Sequence, residues 1–520
     1  MKTLIRHGML YDGSGSLPFY ADILLIDDKI AAIEHILPIP EDAAVIDAAD
    51  LVVSPGFINT HSHMELEVLK NPSLPSVIQQ GITTEVLGQD GSSVAPLNDS
   101  IAAELADNMA PLCGVWNKTY PWRSFADYMT AVNAVNPAPR MESLVGHGTI
   151  RMNIMGSEQR LPTPKELEQM QHLLAQCMEE GARGLSFGLI YPPGSYADTE
   201  ELIQMAKVVA RYDGLIMVHM RNENNRLLES VDEMLRVMTE SGARLQISHF
   251  KALGTPNWGK VQRAHDKLLA LREKGYDISF DQYPWTAACT GLKVCVPSWA
   301  YAGGETAFQS RLTNGEALSN IHKETQEIVE MRGGGKCIMI ASTATAEYAW
   351  MAGKYLDEIA AQLKMDETDA VLHILQHEGP AVVAIYFSIS EDDVRSLMTS
   401  PLQCVCTDGI VGAHPHPRTY ASFPRFLGTY VRDQKLMNLQ TAIQKITSEP
   451  ARRLRLWDRG LLRVGMAADL VIFDPRVIKD INSYTDPAIP PIGIPYVIVR
   501  GILKKGEILC HNKLPIPVGL

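Results

Sequence analysis

Between residues 143 and 283 the chain repeats one pattern: a short apolar run, a polar turn, then an amphipathic stretch closed by glycine. The clearest helical stretch starts at a Thr163 cap, with Pro164 in its first turn and Glu166 three residues on. Its apolar stripe is Leu167, Met170, Leu173, Leu174, Cys177 and Met178, and Gly181 ends it. Apolar runs follow at 184–190, 215–219, 244–249 and 277–283, separated by helical stretches, the first of them expected to be capped by Thr199. Strands alternating with helices at about thirty residues per unit imply a parallel sheet with right-handed crossovers. Enough such units close into a (β/α)₈ barrel, and strand ends are expected near 61, 87, 147, 188, 219, 249, 283 and 407.

The rhythm breaks between 286 and 400, where glycine pairs and helical patterns near 346–363 and 367–377 suggest an insertion, expected as a lid over the barrel mouth. Helical stretches are also expected after His63 as far as Gly81, and from 439 to about 454. Residues 1–54 read as short strands, and strand signals return at 469–473, 496–499 and 502–508. The expected organisation is therefore α/β: a barrel over 55–455 and a small β-sandwich domain built from 1–54 and 456–520.

Chemistry in such a barrel sits at the carboxyl ends of the strands. His61 and His63 follow Phe57-Ile58, and alternate residues of a strand share a face, so both imidazoles point one way and form half of a divalent-metal site. Asp90 follows the second strand, His219 ends the fifth, His249 the sixth and Asp408 the eighth. A lone histidine is most often structural, but this many metal-competent residues on one rim point to a metal centre. Asp408 has the position for proton transfer beside it. Lys251, two residues past His249, shares its face if the strand extends that far, and Arg418 can grip a carboxylate bidentately. Tyr191 after the fourth strand and Tyr283 at the seventh can complete that clamp, whereas His147, His414 and His416 read as supporting residues.

The net charge of −13, without long acidic runs, argues against nucleic acid or an anionic membrane as partner. No apolar run is long enough to span a membrane. Eight scattered cysteines without a Cys-x-x-Cys pair fit a reducing cytoplasm. A homo-oligomer is compatible with this reading.

The segments PGFINTHSH, GITTEVLGQDG, GLSFGLIYPPGSYADTEEL, MVHMRNE, QISHFKALG, DQYPW, CTDG, HPRTYASFPRFLG and DRGLLRVGMAADLVIFDP occur in this order over nearly the whole chain. Together they resemble the N-acyl-D-amino acid deacylases, the D-aminoacylase branch of the metal-dependent amidohydrolases. That resemblance implies a (β/α)₈ barrel with a β domain from both termini. It implies metal-assisted hydrolysis of the amide bond of N-acyl-D-amino acids, with Asp408 as general acid/base. His219 and His249 would hold the tightly bound zinc, His61 and His63 a weaker second site, and Lys251, Arg418, Tyr191 and Tyr283 the substrate. The family places a cysteine ligand where this chain has Asp90, a harder donor that opens the way to two metals or to manganese.

Related hydrolases of cyclic amides use a carboxylated lysine after the fourth strand, and 184–193 contains none. A hydrolase of β-linked dipeptides is a nearer alternative, and a catalytically dead scaffold a remote one, because every expected position is filled. The side-chain pocket is expected to draw on 286–300, with Cys289, Lys293 and Trp299. No second arginine is clearly placed for an acidic side chain, which favours a neutral or apolar one.

Overall fold

The structure, a computed structural model, describes residues 1–116 and 120–506. Its centre is a run of parallel strands in chain order. Phe57–Asn59, Ile82–Leu87 and Arg140–Ser143 form one sheet. Val145–Gly146, Gly184–Gly188, Leu215–His219, Arg244–Ile247, Ile278–Gln282 and Gln403–Val405 form another. Only Leu144 separates the two sheets along the chain, and its N–H donates to Leu87 O at 2.9 Å. At the opposite edge the N–H of Asp408 donates to His61 O at 3.0 Å, and Ser62 bridges Gly409 in parallel. The strand expected to end near 147 is split at Leu144, and each of the eight expected ends has a strand ending within two residues of it. The reason is burial on both faces: all five residues of Leu215–His219 are buried, so the strand reads as one apolar run.

The flanking helices follow their capping chemistry. Pro164–Glu179 begins with a capping box between Thr163 and Glu166. Thr199–Arg211 starts one residue after its cap, which is Asp198 rather than the expected Thr199, because the Asp198 carboxylate accepts from Glu201 N–H. The helix expected after His63 is two short ones, Glu67–Lys70 and Pro75–Ile78, parted by Leu74 at φ 38° between Pro72 and Pro75. The helix expected over 439–454 breaks at Thr447 into Leu439–Ile446 and Ser448–Arg453.

The insertion has a sheet of its own that the sequence reading missed. Ala288–Gly291, Val383–Tyr386 and Ile338–Ser342 pair antiparallel, and Gly304–Leu312, Gly315–Met331, Leu356–Leu363 and Glu367–Glu378 are helices. Strands of four or five residues carry too few alternations to register against surrounding helical patterns.

The head and tail of the chain share one eight-stranded sheet, joined where Val52–Pro55 pairs antiparallel with Leu470–Phe473. The last strand is Ile502–Lys505; the expected end at 508, and Cys510, lie outside the described residues. The seven described cysteines are free thiols. Among the described residues no helix is long and apolar enough to cross a membrane.

Candidate active site

The turn that carries Asp90 is fixed from three sides. The Gln89 side chain donates to Thr60 O at 2.8 Å, and Gly91 N–H donates to Ser186 Oγ at 3.0 Å. Gly188 packs so closely that a Cβ there would lie 1.8 Å from Asp90 O. Both atoms of that clash are anchored to backbone. Gly188→Ala is therefore expected to cost about 3 kcal/mol or more, read as a fall in Tm together with weaker metal retention; an unshifted Tm would contradict the packing described.

Three site residues hold non-glycine left-handed backbone: Asp90 at φ 54°, His249 at φ 37° and Asp408 at φ 48°. Asp and His tolerate this conformation better than most residues, yet it is strained, and such strain gathers where side-chain direction matters. The fold holds each one. His249 N–H donates to Asp281 Oδ1 at 2.6 Å. Asp281 is anchored in turn by Thr60 Oγ1 and Gln246 Nε2.

The resulting cluster is buried and converges on one carboxylate. Asp90 Oδ1 is 3.5 Å from His61 Nε2 and 3.4 Å from His249 Nε2, while Oδ2 is 3.6 Å from His63 Nε2 and 3.7 Å from His219 Nδ1. Asp408 Oδ1 lies 3.2 Å from His63 Nε2 and 3.6 Å from His61 Nε2. Two overlapping groups thus have metal-ligand spacing: His61, His63, Asp90 and Asp408, and Asp90, His219 and His249. The ring nitrogens of His61, His63 and His219, and Asp90 Oδ1, are buried without a hydrogen-bond partner. Orphaned donors and acceptors this deep are costly unless something else satisfies them. A divalent cation bound by imidazole and carboxylate fits that need.

Electrostatics agree. Burial would raise the Asp90 pKa, but His61 and His249 outweigh it and hold the carboxyl well below the usual range. Burial opposes the ionised form of Asp408 too, and Arg418 and His61 overcome it and keep that group ionised. Burial and Lys251 lower the His249 pKa, yet Glu223 and Asp90 drive it up to about 10, the mark of a site short of positive charge. Burial lowers that of His219, which keeps its lone pair available.

Three of the four expected substrate residues, Tyr191, Lys251 and Tyr283, share a cavity with this cluster, and Arg418 is not among the residues that line it. The cavity is lined by Asp90, His219, His249, Lys251, Tyr283 and Asp408, among others including Tyr191. Arg418 is fully buried, with Nη1 2.8 Å from Asp408 Oδ2 and its guanidinium 4.5 Å from the Tyr283 ring centre. The Tyr283 hydroxyl has no hydrogen-bond partner, and Tyr191 OH pairs with Thr290 Oγ1 at 3.0 Å. Lys251 reaches the site by another route than a continued pleat. The strand stops at Ile247, and the turn at His249 brings Lys251 Nζ to 2.9 Å from His249 Nδ1 and 2.8 Å from Glu223.

Sequence reasoning missed Glu223, whose carboxylate lies 3.2 Å from His249 Nδ1 and 3.6 Å from His219 Nε2. Its position four residues after His219 in MVHMRNE was the available signal. Burial raises its pKa, but Lys251 and the two imidazoles bring it down to about 2. It also missed Asp281 and Arg332, the latter an arginine among the residues lining the cavity. Of the 286–300 residues, Cys289 lines the cavity, Lys293 lines a neighbouring one, and Trp299 donates instead to Glu324. His147 pairs with Glu201, and His414 and His416 bond backbone carbonyls, as supporting residues do.

Beneath the site, buried Glu85 accepts from Asn59 Nδ2 at 3.0 Å, and burial pushes its pKa up to about 8. Between pH 4.5 and 8 the folded chain holds a proton that the unfolded chain has released, so stability falls as pH rises through that window. Glu85→Gln is expected to flatten this fall, which reaches at most about 1.4 kcal/mol per pH unit. Unfolding midpoints of both proteins at pH 5 and pH 8 measure it, and equal slopes would contradict it.

A parallel strand array that delivers four imidazoles and a shared carboxylate to one rim defines a metal-dependent amidohydrolase. The amidohydrolase family model matches residues 44–503. The chain is 33% identical over 505 residues to a D-aminoacylase of Alcaligenes xylosoxydans xylosoxydans, covering 96% of this chain and 93% of that protein. It is likewise 33% identical over 502 residues to an N-acyl-D-glutamate deacylase of the same organism, with the same coverage of both. A crystal structure of N-acyl-D-glutamate deacylase from Bordetella bronchiseptica, complexed with zinc and a phosphonate inhibitor, superposes with TM-score 0.83 at 31% identity, covering 96% of each chain. The chain belongs to the amidohydrolase family and, within it, to the D-aminoacylase branch.

Proposed function

We propose that this protein hydrolyses the amide bond of N-acyl-D-amino acids, releasing a carboxylate and a free D-amino acid. The observation that carries this reading is one carboxylate, Asp90, within 3.7 Å of four imidazoles, with Asp408 beside two of them. His61, His63, Asp90, His219 and His249 would hold one or two divalent ions, zinc or a harder ion such as manganese, which when bound would polarise the acyl carbonyl and acidify a water. Asp408, ionised and paired with Arg418, accepts a proton from the attacking water and delivers it to the leaving nitrogen as the C–N bond breaks. Arg418, Lys251 and the unpartnered Tyr283 hydroxyl hold the substrate carboxylate, with Tyr191 completing the clamp.

Glu223 fixes the His249 ring and neutralises Lys251. With the carboxylate and the carbonyl both fixed, only one hand of the substrate presents its amide correctly. The frame is read as a (β/α)₈ barrel over 55–455 with the insertion covering its mouth, and a β-sandwich from residues 1–54 and 456–520. The protein is read as cytoplasmic, and a homo-oligomer remains compatible with it. Purified zinc-loaded protein should hydrolyse N-acetyl-D-amino acids on the order of 100-fold faster or more than their L counterparts. Equal rates on both hands would overturn this reading.

A further inference from the structure

Two cationic side chains, Lys251 and Arg332, line the metal cavity, and Arg418 is buried against Asp408 beside it; two of these three already have acidic partners. Lys251 is held by Glu223 at 2.8 Å and Arg418 by Asp408 at 2.8 Å. The third is Arg332, which follows the insertion helix Gly315–Met331 as its C-cap. Its guanidinium stacks 4.6 Å from the Tyr386 ring centre, and its buried Nε has no hydrogen-bond partner. Nη2 makes one long contact, 3.4 Å to Val294 O. Among the described residues no carboxylate pairs with it. A guanidinium taken partly out of water without a counter-charge is unfavourable until an anion arrives.

Arg332 also stands between two spaces. The metal cavity and a larger one, about 1130 Å³ with its opening to solvent, share Arg332, Ile190 and Tyr191. The outer space is lined by Arg221 and Lys293 as well, and by no acidic residue. Arg221 there is paired with Glu233 at 3.0 Å and Lys293 has Glu305 and Asp107 near it, so on a chain of net charge −13 it is Arg332 that favours an anion where the two spaces meet.

We propose that Arg332 receives a second carboxylate, carried by the substrate side chain, so that the preferred substrates are N-acyl derivatives of D-glutamate and D-aspartate. This rests on the deacylase reading above and names its substrate class. The α-carboxylate falls to Arg418, Lys251 and Tyr283, which leaves the unpaired guanidinium for the side chain. A planar fork of donors matches a carboxylate bidentately, and a side-chain amide lacks the charge to replace it.

The test is kcat/KM of the zinc-loaded enzyme on N-acetyl-D-glutamate against N-acetyl-D-glutamine, and on N-acetyl-D-aspartate against N-acetyl-D-asparagine. The acid should be preferred by on the order of 100-fold. Arg332→Met should reduce that ratio about 100-fold. Because acid and amide are compared on the same protein, general damage to the fold cancels. An acid-to-amide ratio near one in the unaltered enzyme, or a ratio unchanged by Arg332→Met, overturns the proposal while the deacylase reading stands. Hydrolysis of no N-acetyl-D-amino acid at all, neutral ones included, overturns both.

Discussion

Asp408→Asn is expected to lower kcat by on the order of 10³-fold while the bound metal stays in place. Asparagine keeps the shape of the side chain and an oxygen facing His63, but it can neither accept a proton from water nor pass one to the leaving nitrogen. Asp90 lies within 3.7 Å of all four imidazoles and, with His219 and His249, forms a group with metal-ligand spacing that does not include Asp408. The backbone there is held by Asp408 N–H donating to His61 O and by Thr407 N–H donating to Asn59 Oδ1, neither of which involves the carboxylate. Metal analysis of the variant beside its steady-state rate checks this. A kcat within a few-fold of the unaltered enzyme would remove Asp408 from proton transfer.

Asp90→Ala is expected to do more. Asp90 is the one residue common to both groups with metal-ligand spacing, so its loss leaves His61 and His63 with Asp408 alone and His219 and His249 with no carboxylate of their group. It also leaves four buried imidazoles crowded without the negative charge that holds them together, with His61 and His249 rings 5.0 Å apart and His219 and His249 rings 4.4 Å apart. Metal content should drop to substoichiometric levels and the rate by on the order of 10⁴-fold or more. A fully loaded, active Asp90→Ala protein would mean that the cation, if any, binds elsewhere.

The parallel strands were legible because they are buried on both faces, and so appear in the sequence as unbroken apolar runs such as Leu215–His219. The rim residues were legible for the same reason, since a polar residue ending an apolar run stands out. The antiparallel sheet of the insertion was not, because Ala288–Gly291 and Val383–Tyr386 are four residues each and their pairing spans about ninety residues of chain. Lys251 was placed in the site for a reason the backbone does not support: the strand ends at Ile247, and the left-handed His249, not the pleat, aims it. Arg332 was invisible from sequence, because its approach to the metal cavity depends on where a helix of the insertion stops. Glu223 required knowing that the chain turns back after His219 rather than running on.

Removal and return of the metal tests the central claim most directly. Stripping the purified protein with a chelator and titrating zinc back, while following metal per chain and hydrolysis of an N-acetyl-D-amino acid, should show activity lost with the metal and restored by one or two ions per chain. Undiminished hydrolysis by metal-free protein, or zinc that binds without restoring any, would contradict the assignment of His61, His63, Asp90, His219 and His249 as the hydrolytic centre.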